Sequence, residues 1–239
     1  MEIRLAVAKI NKYATSDSGD SVEVVERPNG GLSVVMADGQ SSGKGAKQIS
    51  SLVVRKVISL LSEGVRDGAA ARAASDYLFT ERKGKVSATL NIVSIDMQTA
   101  TMVITRNNPL PVLIASTNEL CAFDDECNPI GLYRDTRPLI SELPLEPGLV
   151  VVLYTDGLVH AGTRNGESLD IITFLQSIID DNAYEEETTP QEIADSLLAH
   201  AVQLDQGRPV DDITIVVILV SNRKSDSIRR MTVELPINI

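Results

Sequence analysis

Two runs in this chain, Leu149 to Leu153 (LVVVL) and Ile213 to Val220 (ITIVVILV), are apolar at nearly every position. As extended strands they would present apolar side chains on both faces, which is stable only with a layer packed on each side. The remaining segments show what could supply those layers. Ile3 to Ile10 alternates in the manner of a half-buried strand. Val22 to Val25 and the strand from Leu32 flank a tight turn at Pro28 to Gly31, and LNIVSID and ATMVIT flank Met97 to Thr99, so both pairs read as hairpins. After Gly45 the period changes, and Ile49, Leu52, Val53, Val57, Leu60 and Leu61 recur at helical spacing. A second, alanine-rich helix is predicted from about Ala69 to Phe79. A later pair carries Leu169, Ile172, Leu175 and Ile179, then Ile193, Leu197, Ala201 and Leu204, the second opened by a capping box at Thr189 to Glu192 with Pro190 at its first turn. Hairpin-linked strands with helices inserted in pairs predict an α+β chain of antiparallel sheets covered by helices, not a doubly wound parallel sheet.

Between these elements, Asn118 to Arg137 reads as loop and residues 180–189 as an acidic linker. A basic linker, Asn222 to Lys224, precedes one further predicted strand near Met231 to Leu235. Residues 1–221 are therefore expected to form one domain, with 222–239 as a C-terminal extension. At 239 residues and 43% hydrophobic content the chain can bury a substantial core. Its 22 Lys and Arg against 33 Asp and Glu leave a net charge of −11, a poor match to nucleic acid. No segment reaches the ~18 consecutive apolar residues of a membrane span, and the N-terminus has no signal-peptide pattern. Cys121 and Cys127, without a Cys/His cluster, read as free thiols. A cytoplasmic protein with no membrane or nucleic-acid partner is expected.

Chemistry concentrates in aspartates at the ends of apolar strands. Leu32 to Met36 delivers Asp38-Gly39, Leu149 to Tyr154 delivers Asp156-Gly157, and Asp20 and Asp211 flank two other strands. Carboxylates gathered at one place repel one another unless a cation holds them, and an all-oxygen set favours hard ions such as Mg²⁺ or Mn²⁺. Two such ions about 3.5–4 Å apart can grip a phosphate and activate a water for in-line attack. Spacing alone leaves open that these are four unrelated loop acids, and that Asp-Gly simply makes turns. Other chemistries fit less well. His160 and His200 assemble no triad, and both read first as structural residues. The stretch GQSSGKG fails the P-loop pattern, since Gly45 stands where Ser or Thr should hold magnesium.

The ordered series SGDS (18–21), ADGQSSGKGA (37–46), SATLNIVSID (87–96), NNPLPVLI (107–114), NPIGL (128–132), YTDGL (154–158) and VDDITIVV (210–217) resembles the metal-dependent protein phosphatase 2C (PPM) family, in its bacterial SpoIIE-like branch. The resemblance spans about Ile3 to Val220. It implies an αββα sandwich of two antiparallel sheets flanked by helix pairs, with two Mn²⁺ or Mg²⁺ ions at one end. It further implies that Asp38 bridges both ions and that Gly39 offers its backbone carbonyl. Asp20 would sit at one ion, directly or through water, with Asp156 and Asp211 completing the other. Asp38 and Asp156 carry the catalytic role in this reading. The implied activity is serine/threonine phosphoprotein hydrolysis by a metal-activated water, without a phospho-enzyme. Substrates would be phosphoserine or phosphothreonine proteins, with an anti-sigma-factor antagonist of a partner-switching circuit as the expected kind.

Several positions depart from the family pattern. Ser41 replaces a glycine, His160 stands near the place of a frequent acidic residue, and Arg4 is only a weak equivalent of the phosphate-binding arginine of eukaryotic members. Asp212, where many relatives have Asn, is expected to hydrogen-bond a nearby loop, and Asp212→Asn to be mild. Since Ile3 already begins the sheet, no sensor domain is expected before it, and regulation is expected from a partner, from self-association or from another chain. The alternative is a pseudophosphatase that binds a partner with little catalysis, and the full aspartate set argues against it.

Overall fold

The two apolar runs become β9 (Val150–Tyr154) and β10 (Ile213–Ser221), adjacent inner strands of one five-stranded sheet. The computed structural model describes residues 1–116, 119–182, 189–223, 226 and 228–236. Asn118, Lys224 and residues 183–188 of the acidic linker lie outside that set. Along β10, Val216, Ile218 and Val220 point into the space between two sheets, while Ile213, Ile215 and Val217 point outward under helices. Covering both faces is what the apolar runs require.

The first sheet has the order β1 (Glu2–Ile10), β10, β9, β6 (Val112–Ala115) and β7 (Leu120–Phe123). The second has β2 (Asp20–Glu26), β3 (Leu32–Gly39), β4 (Ala88–Asp96), β5 (Thr101–Asn107) and β8 (Leu139–Pro144). All pairings are antiparallel. Helices α1 (Gly43–Ser62) and α2 (Asp67–Arg82) cover the second sheet through Val53, Val57, Ala70, Ala74 and Leu78. On the first sheet, α4 (Ile171–Asn182) and α5 (Pro190–Leu204) pack through Leu175, Ile193, Leu197 and Ala201. Val34, Met36, Ile104, Ile114, Val151 and Leu153 fill the space between the sheets. The result is the αββα sandwich that the resemblance implies.

The Glu146 to Gly148 turn joins β8 to β9 and so passes from the second sheet to the first, and Gly148 N–H donates to Val220 O at 2.7 Å. Two local expectations change. The stretch 118–137 contains β7, which pairs with β6 along the edge of the first sheet. No strand forms at 231–235. Met231, Val233 and Leu235 alternate as a strand would, yet they are 71–79% exposed, with no sheet face to bury them. The capping box of α5 forms as expected: Thr189 Oγ1 accepts from Glu192 N, and Glu192 Oε2 accepts from Thr189 N.

Candidate metal centre

All the aspartates singled out from sequence arrive at one end of the sandwich. Asp20 is the first residue of β2 and lies directly opposite Asp38 of β3. Directly opposed residues share a face, so both carboxylates point the same way. From the other sheet, Asp156 starts a short helix, α3 (Asp156–His160), just past the end of β9, and Asp211 precedes β10. A cleft of about 230 Å³ is lined by Asp20, Asp38, Gly39, Asp156, Asp211 and Asp212, with Gln40, Ser41, Ser87, Ala88, Thr89 and Pro129 on its remaining walls.

The two Asp-Gly pairs serve close packing. A Cβ on Gly39 would stand 2.2 Å from Ala46 O, and one on Gly157 would stand 2.1 Å from Asp212 O. Neither glycine has a positive φ. Each permits another backbone to press against the residue after the acid, which sets the carboxylate's position. Ser41 does take a left-handed φ of 80°, so the turn keeps a glycine-like conformation despite the serine.

Electrostatics show why these acids need a cation. Burial raises the pKa of Asp38, and the carboxylates of Asp20, Asp156 and Asp211 raise it further. Burial likewise raises Asp20, opposed by hydrogen bonds from Thr214 and Thr155. Asp156 is raised by burial and by Asp211. Among the described residues, no Lys or Arg pairs with any of the four. The nearby ammonium groups of Lys9 and Lys47 donate instead to the backbone carbonyl of Asp20, at 2.8 and 2.9 Å. The Lys9 charge acts on Asp20, yet no Lys or Arg among the described residues bonds these carboxylates, and such converging oxygens are the donor set that a hard divalent cation takes. The residues present fit such ions.

Neighbours of the acids complete the frame. Asp20 Oδ2 accepts from Thr155 Oγ1 at 3.0 Å and Thr214 Oγ1 at 2.6 Å, both threonines fully buried. The sequence reading gave Thr155 no part in the site. Its signal was its place beside Asp156, because a buried hydroxyl needs a partner. Asp212 is buried and accepts from Lys12 N–H at 2.8 Å and Gly19 N–H at 2.7 Å. It therefore ties the loop before β2 to the start of β10, as expected for a loop-bonding residue. Two backbone donors on one carboxylate, however, make Asp212→Asn a costly change to the frame. Arg4 lies toward the far end of β1, opposite Leu219, where its charge acts on Glu192. It is no phosphate-binding residue of this cleft. His200 stacks on Phe174 with ring centroids 4.2 Å apart, a packing role. His160 does come to the centre: one ligating atom each from Asp156, His160 and Asp211 lie within 4.8 Å of one another.

Comparison with known proteins agrees with this fold. A family model described as Stage II sporulation protein E (SpoIIE) matches residues 28–221. Stage II sporulation protein E of Priestia megaterium is 22% identical over 205 residues, covering 84% of this chain and 33% of that protein. The chain thus spans about a third of that relative's length. Among solved structures, the PP2C phosphatase domain with a fragment of the regulatory domain of SpoIIE from Bacillus subtilis matches with a TM-score of 0.75 and 22% identity, over 92% of this chain and 64% of that one. RsbX in complex with magnesium matches with a TM-score of 0.68 and 17% identity, over 92% of this chain and 96% of that one.

Proposed function

The chain belongs to the SpoIIE family of PP2C-type (PPM) serine/threonine phosphatases, and from that premise we propose that it hydrolyses phosphoserine on a cytoplasmic regulatory protein in a bacterial partner-switching pathway. The observation that carries this reading is the convergence of Asp20, Asp38, Asp156 and Asp211 in one cleft without a Lys or Arg partner. Asp38 faces Asp20 across the hairpin and feels the charges of Asp156 and Asp211, which supports a reading in which it would serve both ions. Asp20 would serve one ion, its carboxylate oriented by the two threonines that bond Oδ2. The Gly39 carbonyl joins that set, and Asp156 and Asp211 hold the second ion. When bound, two Mn²⁺ or Mg²⁺ ions supply an acidified water for in-line attack and neutralise the charge of the phosphoryl group. The chain's own part is to fix these oxygens before substrate arrives, so that no reorganisation is needed during reaction.

Phosphate release from a phosphoserine peptide tests the reading. It should require Mn²⁺ or Mg²⁺ and stop with chelator. Asp38→Asn should lower turnover by about 10²–10³-fold, the scale of several kcal/mol of lost charge stabilisation. Full activity in metal-stripped protein would sink the mechanism. One observation favours the pseudophosphatase reading: no arginine or lysine stands among the described residues lining the cleft. Metal binding without measurable phosphate release would select that reading.

A further inference from the structure

We propose that His160 is a ligand of the ion held by Asp156 and Asp211, which makes that position prefer a transition-metal ion over Mg²⁺. This rests on the reading above, in which those two aspartates hold an ion. Asp156 and His160 are the first and last residues of α3, and an i, i+4 pair shares one helical face. His160 Nδ1 lies 4.0 Å from Asp156 Oδ2, too far for a hydrogen bond. Two donors each about 2.1 Å from one ion are separated by about 3.0 Å at right angles and at most about 4.2 Å, so the gap lies within the span of one ion and narrows as the ring turns inward. The Asp211 carboxylate offers an atom within 4.8 Å of both ligating atoms, and the His160 ring is half exposed, so it has room to turn toward a shared ion.

The backbone beneath the ring is pinned. Thr163 Oγ1 donates to His160 O at 2.7 Å, and Gly162 N–H donates to Asp205 Oδ1 at 2.8 Å. α3 therefore ends where the imidazole can reach Asp211, the carboxylate brought in by β10. Imidazole nitrogen suits first-row transition metals, whereas Mg²⁺ takes oxygen and keeps its waters. A nitrogen in an otherwise all-oxygen set shifts the preference toward the former.

The test uses the full chain, stripped with chelator and reloaded with Mn²⁺. Pulsed electron paramagnetic resonance should show nitrogen coupling to Mn²⁺, lost in both His160→Gln and His160→Asp. The chain has 2 histidines, and His200 is engaged with Phe174, so the assignment is direct. In competition titrations, the Mn²⁺ over Mg²⁺ preference should fall about tenfold in both variants. Absence of nitrogen coupling in the unmodified chain, or an unchanged preference in both variants, overturns the proposal. Asp156→Asn separates the two readings. If it weakens Mn²⁺ binding while the His160 variants do not, only His160 ligation fails. If it binds Mn²⁺ like the unmodified chain, the reading of the centre itself fails.

Discussion

A methyl group added at Gly157 would meet the carbonyl of Asp212 at 2.1 Å, so Gly157→Ala must push α3 and the start of β10 apart. The expected cost is about 3 kcal/mol, the upper range for overpacking, read as a shift in the denaturation midpoint with weaker metal binding beside it. A stability within about 0.5 kcal/mol of the parent would mean that this contact yields freely. Asp211 and Asp212 divide differently. Asp212 holds two backbone N–H groups, and an asparagine there offers one acceptor oxygen where the carboxylate offers two. Asp212→Asn should cost about 1–3 kcal/mol of stability yet retain metal binding at saturating metal. Asp211→Asn should leave stability nearly unchanged and weaken metal affinity at least tenfold. Paired denaturation and metal titrations decide this, and the reverse assignment would show that the two residues exchange roles. Alternation along an extended chain says only that adjacent side chains face opposite ways; it was the family resemblance that singled out Asp211 and left Asp212 a loop-bonding role. Neither could show that Asp212 is a strut, since its partners Lys12 and Gly19 are almost the whole chain away.

Among the elements, those with strong periodicity were read nearly in full. Helix α5 starts where its capping box said it would, and Thr189→Ala should cost about 1 kcal/mol, measured as a loss of chemical stability with metal binding intact. A loss under about 0.2 kcal/mol would mean the cap is not held in solution. The β2–β3 and β4–β5 hairpins were equally legible from their turns. What stayed hidden depends on partners distant in sequence. Strand β7 is short and only half-buried, so its own residues carry little pattern. Its existence comes from pairing with β6. Conversely, the alternation at Met231 to Leu235 promised a strand that no sheet edge takes up. The short helix α3 was also missed, because five residues are too few to show a helical period. That omission hid the i, i+4 relation between Asp156 and His160, and with it the approach of the imidazole to the centre.

For the molecule as a whole, the sandwich brings four elements from two sheets to one end, and the acids they carry are unfavourable together without a cation. In metal-stripped protein, Asp20, Asp38 and Asp156 all have pKa values raised above the ordinary 3.8. The folded state therefore binds their protons more tightly than the unfolded chain. That stabilisation is full below the unfolded value and is lost as pH rises through the folded values. The melting temperature of chelated protein should accordingly fall from about pH 5 to about pH 8, and the increment from saturating Mn²⁺ should grow over the same interval. A flat pH profile with a constant increment would mean that these carboxylates are not crowded in solution. The gathering of Asp20, Asp38, Asp156 and Asp211 was legible as an ordered series of motifs. The threonines that orient Asp20, and the lysines that bond its carbonyl instead of its carboxylate, needed the fold to be seen. The most direct test of the metal centre is a calorimetric count of Mn²⁺ bound per chain, comparing the unmodified protein with Asp38→Asn. The unmodified chain should bind two ions, and Asp38→Asn should weaken both because the bridge between them is gone. Binding of no ions by the unmodified chain, or the same two ions with unchanged affinity by Asp38→Asn, would contradict it.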